Sequence, residues 1–180
     1  MKYTRSLMGA KRQEAKTIHE RLQEQFPDLD HILKRRDIFS VKEKTACYRL
    51  EKLGECENVD YQVDGGLIPK VDTDNPKCDH LLLIRVSETK WIHVFIELKG
   101  TDAKHGLKQL EATLLHPLFK PYTSNEKRVA CLVAKSIPSS KNNPEIERLK
   151  QRIVNLNCTF KPMKSNQTQD FETLKQLVGL

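Results

Sequence analysis

The amino-acid sequence predicts an α/β domain in which a mixed central β-sheet is flanked by helices, with a helical extension at the N-terminus. Three observations lead there. Residues 1–55 space their apolar side chains as helices do, residues 56–99 switch to short strand-like runs, and residues 100–180 alternate helical and strand patterns. The resulting order is helices, then β-β-β-α-β-α-β-α, which requires both hairpin and crossover connections in one sheet. A chain of 180 residues suits one core with an added segment. We therefore divide it into an N-terminal helical extension, 1–55, and a core domain, 56–180.

Each element follows from local pattern. Leu7, Ala15, Ile18 and Leu22 lie near helical spacing, so residues 4–26 are read as a first helix, ended by Phe26-Pro27. A short second helix is expected at 28–36, carrying Lys34-Arg35-Arg36. Ser40 suits the N-cap of a third helix over 41–53, with Glu43 at the capping-box position and Gly54 as C-cap. Val59, Tyr61 and Val63 then alternate with polar residues before a Gly65-Gly66 turn, and 70–77 is a polar loop. Residues 79–86 and 91–99 are strongly apolar strands joined by a turn at 87–90; the second is apolar on both faces and belongs in the sheet interior. Asp102 caps a helix over 103–115, a buried strand covers 129–134, Asn143 caps a helix over 144–155, and a short strand, 158–163, precedes a terminal helix, 171–178.

Composition narrows the function classes. The formal net charge is +7, from 31 basic and 24 acidic side chains. That surplus favours a polyanionic partner, because Lys and Arg that neutralise phosphates release counterions. The N-terminus lacks the apolar core of a secretory signal, no run reaches the length needed to cross a bilayer, and the five cysteines are scattered. These features predict a cytoplasmic chain with reduced thiols and no membrane partner. Cys47, Cys56, Cys78 and His80 supply four zinc-ligand types but no paired C-x-x-C knuckle, so they are read as ordinary buried or surface residues. No glycine-rich phosphate loop, nucleophile elbow or nucleotide fingerprint is present.

One constellation carries chemistry. Glu97 and Lys99 are two apart on a strand and leave the same face, while Leu98 points into apolar packing on the other. Asp79 opens the preceding strand. It lies eight residues before Ser87, and Leu98 lies eight after Lys90, so a symmetric hairpin returns Asp79 to the 97–99 end within about one residue of register. Two converging carboxylates repel unless a cation sits between them. Hard oxygen ligands select Mg2+ or Mn2+, and the Leu98 carbonyl is a third oxygen at that point. Lys99 is suited to orient or deprotonate a water, or to offset charge developing on a phosphate.

The segment from Pro76 through Leu115, with Asp79, then 17 residues, then Glu97-Leu98-Lys99 before a helix, resembles the core of the PD-(D/E)XK, restriction-endonuclease-like nuclease superfamily. The pattern at 129–163 is similar to that family's second half, and the likeness spans about 100 of 180 residues. The resemblance implies a restriction-endonuclease-like core, Asp79 and Glu97 as metal ligands and Lys99 as catalytic lysine. It also implies Mg2+-dependent phosphodiester hydrolysis, usually in DNA. Cys78 stands where the family's proline is usual, and the nearest proline is Pro76. Many members carry a glutamate on a helix before the first strand; Glu43 matches that placement best, with Glu14 and Glu51 as rivals. Gln109 resembles a glutamine of exonuclease-like members and is assigned to substrate binding.

His105 and His93 are weighed as phosphate contacts, with helix initiation and packing the plainer roles. Lys34-Arg35-Arg36, Lys42, Lys44, Lys104 and Lys108 are read either as flanks of a DNA groove or as solvated faces. The expectation is a metal-dependent DNA endonuclease whose extension binds double-stranded DNA or joins two copies into a homodimer. A non-catalytic nucleic-acid-binding or assembly subunit is the second reading, and a protein-binding scaffold the third.

Overall fold

A computed structural model describes residues 16–70, 76–121, 123–136 and 143–180. The elements in chain order are α1 (Ile18–Gln25), β1 (Lys34–Arg35), β2 (Phe39–Glu43), β3 (Ala46–Glu51), β4 (Glu57–Gln62), β5 (His80–Arg85), β6 (Trp91–Lys99), α2 (Ala103–Leu115), a 3-10 turn (Pro117–Phe119), β7 (Glu126–Ala134), α3 (Pro144–Asn155), β8 (Thr159–Lys164), β9 (Thr168–Asp170) and α4 (Phe171–Leu177).

Six strands form the central sheet in the order β1-β4-β5-β6-β7-β8. β4, β5 and β6 make an antiparallel meander, and β6, β7 and β8 run parallel. The two parallel steps cross over through α2 and α3, as parallel neighbours require. A mixed α/β sheet flanked by helices is thus the architecture that the periodicities predict.

Both sheet faces are buried, against different partners. Leu81, Leu83, Trp91, Phe95, Ala130 and Leu132 pack with α1, α2 and α3 residues such as Leu22, Leu107, Leu110 and Ile153. Leu82, Ile84, Val94, Ile96, Leu98 and Val133 pack with Phe39, Tyr48 and Leu50 of β2–β3 and with Phe171 and Leu174 of α4. The second face is therefore roofed by a small three-stranded sheet, β2-β3-β9, rather than by helices alone.

The N-terminal extension differs most from expectation. Its first helix begins at Ile18, capped by a Thr17/Glu20 box; residues 4–15 of the expected helix lie outside the described residues. The expected helix at 28–36 is instead turns leading into β1, an edge strand of two residues paired with β4. The expected helix at 41–53 is the β2–β3 hairpin, with Lys42 opposite Cys47 and Lys44-Thr45 at its turn. Ser40 caps nothing there. In β3, Ala46, Tyr48 and Leu50 are buried while Cys47, Arg49 and Glu51 are half-buried, a period of two. Lys44 takes the turn with φ +49°. Gly54 closes a turn rather than a helix, at φ +58°, and its N–H donates to Asp37 at 3.1 Å.

The exposed sheet edge is protected. The Ser165 N–H donates to the Ala134 carbonyl, so alternate residues before it face β7, and Pro162 falls on an outward position. A proline there removes a donor that another strand would use.

Strand burial makes a specific forecast. Leu50→Ala should lower the unfolding free energy by about 2–5 kcal/mol, as deletion of a buried leucine does. Arg49→Ala, whose Glu51 partner is also solvated, should change it by under about 1 kcal/mol. Urea unfolding of the two variants checks this; equal losses would contradict the strand alternation.

Candidate active site

β6 buries every residue except Lys99, which is half-buried. Its even-numbered residues face the small sheet. Trp91, His93, Phe95, Glu97 and Lys99 thus share the helix-covered face. A Glu-x-Lys pair ends this apolar stripe, as the sequence pattern requires.

β5 delivers Asp79. His80 pairs with Ile96 and Leu81 with Phe95, so Asp79 stands one residue beyond the ladder, at the Glu97 end of β6. The Asp79 N–H donates to the Ile96 carbonyl at 3.1 Å, and the Leu98 N–H donates to Asp79 Oδ2 at 2.6 Å. The symmetric turn predicted Asp79 beside Leu98. Arg85 and Trp91 are the last pair, which leaves a five-residue connection, 86–90, and shifts the register by one. Residues two apart on a strand offer their backbone groups to the same neighbour. The Leu98 carbonyl therefore faces the side from which Asp79 comes.

Glu97 is fully buried. Lys99 Nζ lies 2.8 Å from Glu97 Oε1, as an ion pair without the alignment of a hydrogen bond, and neither carboxylate oxygen has a hydrogen-bond partner among the described residues. Burial, and then the Asp79 charge, push the Glu97 carboxyl up to about 9, against the pull of Lys99. Burial also raises Asp79, to about 6; the Leu98 N–H and Lys99 oppose that rise, while Glu43 and Asp64 add to it. Burial alone would depress Lys99, but Glu97, Asp79 and Glu43 outweigh it and hold the ammonium above its usual range. Near neutral pH the pair is thus one proton short of two charges.

α2 forms the roof. A Cβ at Gly106 would stand 2.6 Å from Leu132 Cδ1, 3.0 Å from Lys99 Cγ and 3.2 Å from Glu97 Cγ, so the bare glycine lets the helix close over the charged pair. One turn further, Gln109 Nε2 donates to the Lys77 carbonyl at 2.6 Å. The Cys78 N–H donates to Thr113 Oγ1 at 2.8 Å, and that hydroxyl donates to the Gln109 carbonyl at 2.8 Å. Gln109 is buried, and its amide anchors the backbone just before Asp79. Asp102 caps α2 by accepting from the His105 N–H at 2.9 Å.

The other candidates separate clearly. Glu43 is not on a helix; it ends β2, and its charge is felt by Asp79, Glu97 and Lys99. Glu51 is occupied by Arg49 at 2.5 Å, and Glu14 lies outside the described residues. His93 is buried near the other end of β6, 3.6 Å from Glu126 Oε1; burial, then Arg128, Arg21 and His19, hold it down to about 3. It is a neutral packing group. Cys47 lies on β3, not mid-helix, and all five cysteines are free thiols. Among the described residues no group of three or more His, Cys, Asp or Glu is placed to hold a metal. Sequence reasoning missed Gly106, Thr113 and Asp64; the glycine inside an otherwise helical pattern was the available signal.

Two outcomes follow. Glu97 should make the metal-free protein less stable as pH rises, because between about 4.5 and about 9 the folded chain keeps a proton that the unfolded chain has lost. Glu97→Gln should flatten that decline, measured by urea unfolding in EDTA at pH 6 and 8.5; parallel declines would contradict the burial argument. Thr113→Val should cost about 1–3 kcal/mol by leaving the Cys78 N–H unsatisfied, and Thr113→Ser much less. Thermal unfolding of the two variants checks it.

Comparison of the chain with protein-family models, with curated proteins and with solved structures finds no match in any of the three, so the functional reading rests on the geometry and chemistry of the site.

Proposed function

We propose that this chain is a divalent-metal-dependent nuclease that hydrolyses phosphodiester bonds, acting as a DNA endonuclease. The observation that carries the reading is the meeting of Asp79 and Glu97 at the β5–β6 strand ends, with Lys99 beside them and the Glu97 carboxylate without a hydrogen-bond partner among the described residues. A structural ion pair needs one acid and one base. A second, half-buried carboxylate at the same point raises the free energy of the metal-free site, which fits a group that acts.

The residues suit a hard cation. Asp79 and Glu97 would hold Mg2+ or Mn2+, with the Leu98 carbonyl as a third oxygen; two carboxylates are the number Mg2+ commonly takes from a protein. When bound, the ion polarises a phosphoryl oxygen and eases deprotonation of a water. The chain's own residues do the rest. The Leu98 N–H fixes the Asp79 carboxylate. The Lys99 ammonium stands where charge develops on the phosphate and stabilises it. Gly106 lets α2 close over the inner side of the pair. Gln109, with its amide on the Lys77 carbonyl, serves the site by holding the 77–79 backbone.

The order of elements supports the same reading. Asp79 stands just before β5, and Glu97-Leu98-Lys99 end β6 ahead of α2, the order on which the PD-(D/E)XK resemblance rests.

Supercoiled plasmid in Mg2+ should be nicked by the wild-type chain. Asp79→Ala and Lys99→Ala should each reduce the rate about 100-fold or more, on the scale seen when an electrostatic catalytic group is removed. EDTA should abolish nicking. Binding of plasmid with no nicking in any divalent ion would favour a non-catalytic nucleic-acid-binding subunit instead.

A further inference from the structure

The described basic residues divide into two populations. Lys34, Arg35 and Arg36 are matched by Asp30, by Glu55 and Glu57, and by Asp60. Lys104 and Lys108 share Glu145. Lys52 is paired with Asp170, Arg85 with Glu57 and Arg152 with Glu111. These ions are largely neutralised, and Lys34–Arg36 lie at the far edge of the sheet from β6. Lys44, Lys135 and Lys164 are exposed, and none has an acidic partner among the described residues.

These three lie at one end of the molecule, joined by a chain of hydrogen bonds that begins beside Lys99. The Lys135 N–H donates to the Gly100 carbonyl at 2.9 Å. The Ser165 N–H donates to the Ala134 carbonyl at 2.9 Å, and Ser165 Oγ donates to the Thr45 carbonyl at 2.7 Å. Lys99 pairs with Ala134, and Ala134 with Lys164, so Lys99 and Lys164 leave one face in one row, two strands apart. Adjacent strands are about 4.8 Å apart, which puts their backbones about 10 Å from each other. Lys44 occupies the β2–β3 turn next to Glu43, whose charge reaches Asp79, Glu97 and Lys99. The unmatched cations thus run from the candidate site across the ends of β7 and β8 to the hairpin tip.

An unmatched lysine row of this kind costs self-repulsion in the free protein and gains when a polyanion covers it. A spacing near 10 Å exceeds a single phosphate, so a small anion would engage one lysine at a time. A nucleic-acid backbone, with a phosphate every several ångströms, engages all of them together.

We propose that Lys44, Lys135 and Lys164 form a phosphate-binding rim that carries nucleic-acid backbone away from the Asp79–Glu97–Lys99 site along the ends of β7 and β8. The proposal rests on the phosphodiesterase reading for its polarity, since the rim begins at Lys99. It assigns the β2–β3 hairpin a binding role: Ser165 fastens its tip so that Lys44 is held in line.

The test is fluorescence anisotropy with a fluorescein-labelled 20-base-pair DNA duplex in Ca2+, from 50 to 300 mM salt. K44A/K135A/K164A is compared with wild type and with K90A/K120A/K127A, whose lysines are also unmatched but lie toward the other end of β6 and β7. Each lost phosphate contact lowers the slope of log K against log salt by about 0.9. The rim variant should therefore lose between 2 and 3 units of slope (about 2.7 for three contacts) and the control variant under 1 unit. Equal losses in both variants, or none in the rim variant, would overturn the rim. Plasmid nicking in Mg2+ keeps the two ideas distinguishable. Wild type that binds with the rim-dependent slope but never nicks removes the nuclease reading and leaves the rim. Wild type that nicks while the rim variant binds as tightly as wild type removes the rim and leaves the nuclease. Circular dichroism melts of both triple variants should match wild type, since five of the six lysines are exposed and Lys127 is half-buried without an ion-pair partner among the described residues.

Discussion

The backbone pairing of β5 with β6 is the constraint on which the rest of this structure depends. The Asp79 N–H and Ile96 carbonyl, and the Asp79 carboxylate and Leu98 N–H, tie the start of one strand to the end of the next. Side chains alternate with a period of two, so a slip of one residue would turn Asp79 to the opposite face. Both faces here are buried, and each is filled by a specific set of side chains. A slip would exchange those sets and misplace the apolar residues of a whole strand. The hydrophobic packing of Leu81, Leu83 and Phe95 is thus what fixes the position of a carboxylate.

That placement leaves an electrostatic problem at the strand ends. Glu97 is covered by α2, Asp79 stands opposite, and Lys99 is the single cation within ion-pair distance of Glu97 among the described residues. Burial first, and then the Asp79 charge, raise the Glu97 carboxyl, and a proton on Glu97 relieves both in the free chain. A divalent cation relieves it differently, by letting both acids ionise. On the function proposed above, the cost of that burial in the free chain is what a hard cation would offset. Gly106 is part of this arrangement, because any larger side chain would lift the roof from Glu97 and Lys99.

The small sheet does more than cover the second face. Phe39, Tyr48 and Leu50 seal Ile96 and Leu98 from behind, and the turn of the same hairpin presents Glu43 and Lys44 toward the strand ends. β9 pairs in parallel with β3 and anchors the hairpin to the C-terminal segment. At the opposite end of β7 the central sheet docks α1, whose Ile18 N–H donates to the buried Glu126 at 2.6 Å. Residues near the N-terminus thus support both ends of the central strands.

By itself the sequence determined the elements whose burial is uniform or whose ends carry a chemical signal. β6 and α2 have the predicted bounds, because an unbroken apolar run and an Asp cap beside Gly100 leave little choice. Asn143 and Pro144 likewise open α3. The joining of Asp79 to the Glu97–Lys99 end was legible from two apolar runs and a short turn, to within one residue. Tertiary structure decided what local pattern left balanced. Residues 41–53 carry helix-cap residues and a β-compatible alternation at once, and the apolar face offered by Ile96, Leu98 and Val133 selected the hairpin. The anchoring of Gln109 and Thr113 to the 77–79 backbone, the reach of Glu43, and the separation of matched from unmatched lysines depend on residues far apart in the chain. Periodicity records which face a residue takes; it carries no information on which distant group meets it there, because that choice is made by packing.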